Sequence, residues 1–201
     1  MDTTVGHNVM PLQALSAQSP PAETVPDELL VRQLRDGDPS AGEVLVKRYA
    51  PALLRYLQRL ARSEHLAEEL HQQTWLAVLD NLARFDEKSA GGFKAWLFRI
   101  ATNKANDVWR SRGRERAMKD GLRYVSEEVH PDASFRIETS EEDRKLALAI
   151  DQLPAAQRQV LMLRYYSELK FVEIAQILGC PLNTALGRMH KAILKLRELM
   201  E

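Results

Sequence analysis

Basic, amide and aromatic side chains recur at helical spacing between residues 96 and 110 of this chain. At about 100° per residue, Trp96, Arg99, Asn103, Asp107 and Arg110 share one stripe of a helix. Arginine binds phosphates, asparagine and arginine hydrogen-bond base edges, and an aromatic ring can stack on an unpaired base. The stripe indicates a nucleic-acid surface. A second interpretation remains open, in which the face is simply solvated and Trp96 is tucked under a neighbouring loop.

A second DNA-binding pattern lies near the C-terminus. A short amphipathic segment from Phe171 to Leu178 runs into Gly179 and Pro181, and a longer segment follows. Glycine ends a helix because it tolerates the left-handed backbone, and proline suits a first turn. The order is typical of a helix-turn-helix, although a plain helical hairpin has the same spacing. The longer segment carries apolar residues at Ala185, Met189, Ala192, Ile193, Leu196 and Leu199.

Charge is unevenly distributed along the 201 residues. Lys plus Arg and Asp plus Glu both total 28, which gives a net charge of zero. Residues 84–116 hold nine basic and four acidic side chains, and residues 144–201 hold nine and five. Residues 117–143 between them hold three basic and eight acidic side chains. Two basic segments separated by an acidic one indicate two places where a polyanion binds.

The cysteine count and the lack of long apolar runs indicate the cellular compartment of the protein. Cys180 is the single cysteine, so an internal disulfide is excluded and a reducing cytoplasm is expected. No apolar run is long enough to span a membrane, and the N-terminus lacks the pattern of a secretory signal. We therefore expect a cytoplasmic protein with no membrane insertion.

The sequence shows no arrangement typical of an enzyme. The five histidines are scattered, with no paired metal-ligand spacing, phosphate-binding glycine loop or nucleophile–base pattern. Glu68 and Glu69 with His71 could suggest a metal site, but a solvated helix face explains them better. We predict no catalytic residues, no metal and no cofactor.

The pattern of elements predicts an all-α fold with two helical domains. Residues 1–25 read as a disordered leader, 26–112 as one helical domain, 113–140 as a flexible acidic linker and 141–201 as a second domain. In the first domain we predict helices over Glu28–Asp36, Ser40–Arg62, Leu66–Asn81 and Phe93–Arg110. The helix-turn-helix closes the second domain.

Ordered motifs run through both domains. The nine residues from Ala67 to Trp75 read AEELHQQTW, and the helix from Phe93 reads FKAWLFRIATNKANDVWR. Leu153-Pro154 opens the second domain, and the motif EIAQILG begins at Glu173. With these motifs in this order, the chain resembles an extracytoplasmic-function (ECF) sigma factor of the sigma-70 family. The resemblance covers about residues 27–112 and 142–199.

The resemblance implies a function and a set of site residues. An ECF sigma factor binds core RNA polymerase (β′ clamp helices and β flap), recognises minus-35 and minus-10 promoter DNA, and promotes DNA melting. It is usually held by an anti-sigma factor. Minus-10 binding is implied for Phe85, Trp96, Arg99, Asn103, Asp107, Arg110 and Arg112; minus-35 binding for Asn183, Thr184, Gly187, Arg188 and Lys191; and polymerase binding for Glu68, Glu69, Gln72 and Gln73.

An alternative function uses the same C-terminal pattern. A stand-alone helix-turn-helix regulator would bind duplex DNA as a dimer, but it would have no use for the stripe around Asn103. Some positions depart from the family. Gln73 stands where the family usually has Glu, and Trp75 where it usually has Phe. Gly187 replaces the serine of the common TVKS pattern in the recognition helix. The promoter sequence therefore cannot be transferred from relatives.

Overall fold

Within each of its two described stretches, the chain forms helices joined by short turns. A computed structural model describes residues 25–119 and 141–201, and it contains no strand in these ranges, so the predicted all-α fold is confirmed. The predicted leader, apart from Val25, and the predicted linker beyond Lys119 lie outside the described residues. The helices are α1 (Asp27–Arg35), α2 (Pro39–Ala61), α3 (Glu64–Asn81), α4 (Gly92–Lys119), α5 (Glu141–Asp151), α6 (Ala155–Ser167), α7 (Phe171–Ile177) and α8 (Leu182–Met200).

Capping residues in the sequence fix the boundaries of α2 and α3. The Asp38 carboxylate accepts the backbone N–H of Ser40 at 2.9 Å, and Pro39 occupies the first turn, where no N–H is needed. Arg62 ends α2 in the left-handed conformation, with φ of 55°. The Ser63 hydroxyl then accepts the N–H of Leu66 at 3.4 Å and starts α3. The predicted boundaries of these helices are therefore close to the observed ones.

Helix α4 differs from its predicted extent and environment. It continues to Lys119, nine residues past the predicted end at Arg110, because Arg, Glu, Ala, Met and Lys outweigh the single Gly113 in helix propensity. It is also buried around most of its circumference. Phe98, Thr102 and Ala105 are fully buried beside the predicted apolar stripe, on its side away from Arg99 and Asn103. The sequence analysis missed this second buried face.

The predicted helix-turn-helix is present. Helix α7 ends at Ile177, and Gly179 adopts a positive φ of 58° in the turn. The N–H of Cys180 donates to the carbonyl of Ala175 at 3.0 Å, which closes the end of α7. Pro181 caps α8, and the small Ala185 and Ala192 are fully buried on the inner face of α8. Small residues there let α8 lie close to α6 and α7, against which it packs.

The helices form two units that pack on each other. The first unit is α1–α4, in which α2 packs on α1, α3 and α4. The second unit is α5–α8. Helix α6 lies against α2 and α4, and α7 lies against α4, so one continuous apolar core contains residues of both units. The sequence predicted two tethered domains and gave no sign of this direct packing.

A buried hydrogen bond ties α2 to α4 inside the first unit. The Tyr56 hydroxyl and the Thr102 Oγ1 lie 2.7 Å apart, and both side chains are fully buried. Thr102 also donates to the carbonyl of Phe98 at 2.6 Å. Burial raises the pKa of the Tyr56 phenol, which stays protonated. Because the Thr102 proton goes to the Phe98 carbonyl, the Tyr56 hydroxyl is the donor of the pair and Thr102 Oγ1 is its acceptor.

We predict that Thr102→Val destabilises the protein by about 1–3 kcal/mol, because the Tyr56 hydroxyl is left buried without its partner. The free energy of unfolding in urea measures this loss. The double variant Tyr56→Phe with Thr102→Val removes both polar groups and should recover much of the stability. Equal losses in the single and double variants would contradict this account of the pair.

Candidate nucleic-acid interface

Helix α4 leaves one narrow part of its surface open to solvent. Arg99, Asn103, Asp107 and Arg110 are exposed, whereas the neighbouring positions on the same turns are buried or half-buried. We call these four residues the α4 strip. Within the strip, Arg110 donates to the Asp107 carboxylate at 3.3 Å. A cationic strip with an amide at its centre can contact both phosphates and base edges.

Trp96 and Phe85, for which the resemblance implies minus-10 binding, have buried rings in this structure. Trp96 is 8% exposed and Phe85 is 4% exposed. The rings of Phe85, Phe93 and Trp96 form a cluster with centroids 5.2 to 5.9 Å apart. Trp96 is three residues from both Phe93 and Arg99, so it lies at the border of the core, about 60° from each on the helix. Phe85 covers it there, in agreement with the alternative interpretation of the stripe.

The loop between α3 and α4 is held in place by α1. A 3-10 turn over Leu82–Arg84 leads into it, and the Arg35 guanidinium donates to the carbonyl of Leu82 at 2.8 Å and to that of Phe85. The guanidinium also lies 5.9 Å from the centre of the Phe85 ring. Arg35 therefore satisfies two carbonyls of the loop and fixes its course. The sequence analysis missed Arg35; its position in the last turn of α1 gave no signal.

A depression of about 500 Å³ lies beside this loop. The Arg32 guanidinium lines it and pairs with both oxygens of Glu87. This hydrogen bond and ion pair hold the pKa of Glu87 below its usual range. The depression thus has charges of both signs at an exposed position. Its lining residues are Glu28, Arg32, Arg35, Phe85, Asp86, Glu87 and Lys88.

The start of α8 presents the predicted recognition residues on one face. Thr184, Gly187, Arg188 and Lys191 are spaced three and four residues apart and are exposed or half-buried. A methyl group added at Gly187 would meet no atom within 4 Å, so this face is open at its centre. Asn183 is exposed in the first turn. An open first turn with two cations on the same face fits the entry of a helix into a DNA groove.

Helix α3 carries the predicted polymerase-binding residues on its outer face. Glu68, Glu69 and Gln72 are exposed, and the half-buried Gln73 donates to Glu69 at 2.9 Å. Leu76 and Leu79 continue the exposed side of α3, and each is 55% exposed. His71 is not on this face: its Nε2 accepts the indole N–H of Trp75 at 3.2 Å, and burial lowers its pKa. The outer face therefore joins acidic, amide and apolar side chains.

Two further properties follow from the described ranges. Residues 25–119 and 141–201 contain no group of three or more His, Cys, Asp or Glu side chains that could hold a metal ion. In the same ranges, no helix is long and apolar enough to cross a membrane. Cys180 is half-buried in the turn before α8, with a free thiol.

Comparison with known protein families finds two matches in order along the chain. The model of sigma-70 region 2 matches residues 45–115, and the model of sigma-70 region 4 matches residues 143–196. The first match covers α2 beyond its first turns, α3 and most of α4, including the α4 strip. The second covers α5 to α7 and most of α8.

Curated proteins and a solved structure agree with these matches. The ECF RNA polymerase sigma factor SigW of Bacillus subtilis is 30% identical over 179 residues, which cover 84% of this chain and 93% of that protein. The ECF RNA polymerase sigma factor SigE of Mycolicibacterium smegmatis is 31% identical over 78% of this chain, and the match spans 60% of that protein. In structure, the sigma factor RpoE from Bartonella quintana, in complex with the anti-sigma factor NepR, superposes with a TM-score of 0.63. It is 28% identical, over 79% of this chain and 95% of that one.

We predict that Trp96→Ala destabilises the first unit by about 3–5 kcal/mol, because it empties a buried three-ring cluster. Arg99→Ala, three residues further along α4 and exposed, should change stability by less than about 0.5 kcal/mol. The free energy of unfolding in urea measures both variants. Equal effects of the two substitutions would mean that the Trp96 ring is not part of the core.

Proposed function

The chain belongs to the ECF group of the sigma-70 family, and we propose which of its residues carry each activity of a sigma factor. As a member of that family it is an RNA polymerase sigma factor, which binds core polymerase, recognises minus-35 and minus-10 promoter elements and promotes DNA melting. It is thus a transcription initiation factor, acting in the compartment that holds polymerase and chromosome. The α4 strip is the observation that carries the assignment of residues.

The α4 strip and the adjoining loop are proposed to bind the opened minus-10 element. Arg99 and Arg110 would contact phosphates, and the Asn103 amide can donate to and accept from a base edge. Asp107 orients Arg110 through their ion pair. Extruding a base costs a few kcal/mol of lost stacking, which contacts in a preformed pocket offset. The loop held by Arg35 offers such a pocket, while Phe85 and Trp96 support it from within the core.

Helix α8 is proposed to read the minus-35 duplex from the major groove. Arg188 and Lys191 would contact phosphates, and Asn183 and Thr184 in the first turn would reach base edges. The open surface at Gly187 allows close approach of the helix to the DNA backbone. Gly187 offers no side chain to a base, which shifts recognition toward phosphates and DNA shape.

The outer face of α3 is proposed to dock on core polymerase. Its carboxylates Glu68 and Glu69 suit a basic partner surface, and Gln72 and Gln73 add hydrogen-bonding groups. The exposed Leu76 and Leu79 supply apolar area beside them. Such a mixture of an apolar centre and a polar rim is usual for a protein interface.

An anti-sigma factor is proposed as a further partner. The Bartonella relative was solved with such a protein, and this chain shares its fold over most of its length. In the second unit, exposed apolar side chains lie along α8, and a protein partner could cover them. They are Leu182, Leu186, Ile193 and Leu194, which are 39% to 48% exposed. A stand-alone helix-turn-helix regulator is not favoured, since it would leave region 2 without a role.

Run-off transcription with bacterial core polymerase on a random promoter library tests the function. We expect enrichment of one pair of elements only when the protein is present. On the selected promoter, Asn103→Ala should slow opening about tenfold or more, because one amide contact to a base is lost. The Gln72→Ala variant is the matched control, since it should weaken core binding and leave opening at saturation unchanged. Loss of core binding in the Asn103 variant would instead give Asn103 a structural role.

The proposed phosphate contact of Arg188 predicts how strongly DNA binding depends on salt concentration. We expect Arg188→Ala to weaken binding to minus-35 duplex and to reduce the slope of log K against log salt by about 1, because one phosphate contact is lost. Titrations of fluorescent duplex at several salt concentrations give the slope. Arg197→Ala, an exposed cation at the far end of α8, is the control and should leave the slope unchanged. If both variants have the wild-type slope, Arg188 does not bind phosphate.

A further inference from the structure

Helix α1 lies outside the stretch that matches sigma-70 region 2, residues 45–115, yet it contacts the loop between α3 and α4 at three points. The contacts come from Glu28, Arg32 and Arg35, which are spaced four and three residues apart and therefore share one face of the helix. We call these three residues the α1 face. Each of them meets the loop at a different position, so α1 runs alongside the loop from its start to its end.

Arg35 holds the start of the loop. Its guanidinium donates to the carbonyl of Leu82 from Nε at 3.0 Å and from Nη2 at 2.8 Å, and Nη2 also donates to the carbonyl of Phe85. The Arg35 side chain is 28% exposed, so these hydrogen bonds are partly shielded from water. A hydrogen bond from a charged donor is stronger than one between neutral groups. Loss of Arg35 would leave both carbonyls without their side-chain donor.

Arg32 and Glu28 meet the middle and the end of the loop. Arg32 Nε lies 2.9 Å from Glu87 Oε2, but the Arg32 side chain is 63% exposed, and exposed ion pairs contribute little stability. Glu28 Oε1 lies 3.2 Å from where a Cβ on Gly92 would be, which places a carboxylate near the N-terminus of α4. The helix dipole favours a negative charge there. Because Arg35 is the more shielded arginine and binds backbone, we expect it to hold the loop most firmly.

The loop leads directly into the α4 strip, so its position affects what an opened DNA strand meets. Phe85 lies in the aromatic cluster at one end, Gly92 begins α4 at the other, and Arg99 of the strip follows about two turns later. A loop that changes shape would alter the surface offered to an extruded base, and it would lose more entropy on binding. The α1 face can therefore influence DNA opening without contacting DNA.

We infer that α1 controls promoter opening through this loop, and that Arg35 is the positioning residue that keeps the loop in its DNA-binding shape. The inference rests on the proposed assignment of the loop and the α4 strip to the minus-10 element. It gives α1 a role in opening alone, whereas core binding and minus-35 recognition are proposed for α3 and α8.

Hydrogen exchange followed by mass spectrometry tests the first step, in the full chain without DNA. The N–H groups of Phe85, Ser89 and Gly92 donate to backbone carbonyls within the loop, so they exchange slowly while the loop keeps its shape. We expect Arg35→Gln to speed exchange in residues 82–92 about tenfold and to leave residues 98–106 of α4 unchanged. Lys47→Gln is the matched control, because Lys47 is an exposed cation of α2 outside the α1 face, and it should change neither segment.

Opening kinetics with core polymerase test the second step, on the promoter selected by run-off transcription. Arg35→Gln should slow opening at saturating polymerase about tenfold, while Kd for core polymerase and for minus-35 duplex stays within about twofold of wild type. Arg35→Lys should still slow opening about threefold, because one ammonium cannot replace the planar fork that serves both carbonyls. Arg32→Ala should have a smaller effect than Arg35→Gln, since its ion pair is exposed.

The outcomes separate this inference from the proposed function. The inference is overturned if Arg35→Gln leaves either loop exchange or promoter opening at the wild-type rate. It is also overturned if Arg35→Lys opens the promoter as fast as wild type, because Arg35 would then act as a simple cation. Equal losses of opening, core binding and minus-35 binding in Arg35→Gln would show a general structural role and overturn it as well. If wild type opens no promoter, the proposed function fails, while hydrogen exchange still decides whether Arg35 holds the loop.

Discussion

The fold depends on the division of α4 into a buried surface and one exposed strip. Phe93, Leu97 and Phe98 are fully buried, and further buried residues cover the remaining sides apart from the strip. Because α4 packs against α1, α2, α3, α6 and α7, its position sets that of nearly every other element. The hydrophobic effect therefore fixes the axis and rotation of the helix, and the polar residues that remain outside are fixed with it. Arg99 and Asn103 are held in one orientation because the rest of the helix cannot turn.

The same burial organises the loop that precedes α4. Phe85 is drawn into the aromatic cluster with Phe93 and Trp96, and its carbonyl is met by Arg35. Phe85 anchors the loop in the core, and the Arg35 guanidinium donates to two of its carbonyls. The loop therefore has few alternative conformations. An unpaired base would meet a preformed surface, which lowers the entropy lost on binding. Under the proposed assignment, Phe85 and Trp96 shape the loop from within the core and do not stack on a base.

Two carboxylates lie at the boundary between the units, beside the apolar core that the units share. The described units share one core, and Asp151 contacts Arg62 and Glu173 lies against Gly91 at the boundary between them. Ion pairs at a partly buried boundary contribute little net stability, but removing one partner strands the other. The neutral overall charge of the chain conceals this arrangement.

The sequence by itself determined the elements and the family. The elements are marked by local signals: helical periodicity, the caps at Asp38 and Ser63, and the glycine–proline turn before α8. Such signals depend only on residues close in sequence, so they are recognised without knowledge of the tertiary contacts. Only the tertiary structure decided which way Trp96 faces, because its position 60° from both Phe93 and Arg99 leaves the choice to Phe85, which is eleven residues away along the chain. It also decided that α6 and α7 lie on α2 and α4. Contacts such as Arg62 with Asp151 join residues distant in sequence, and no periodic pattern records which distant surface will cover an apolar face.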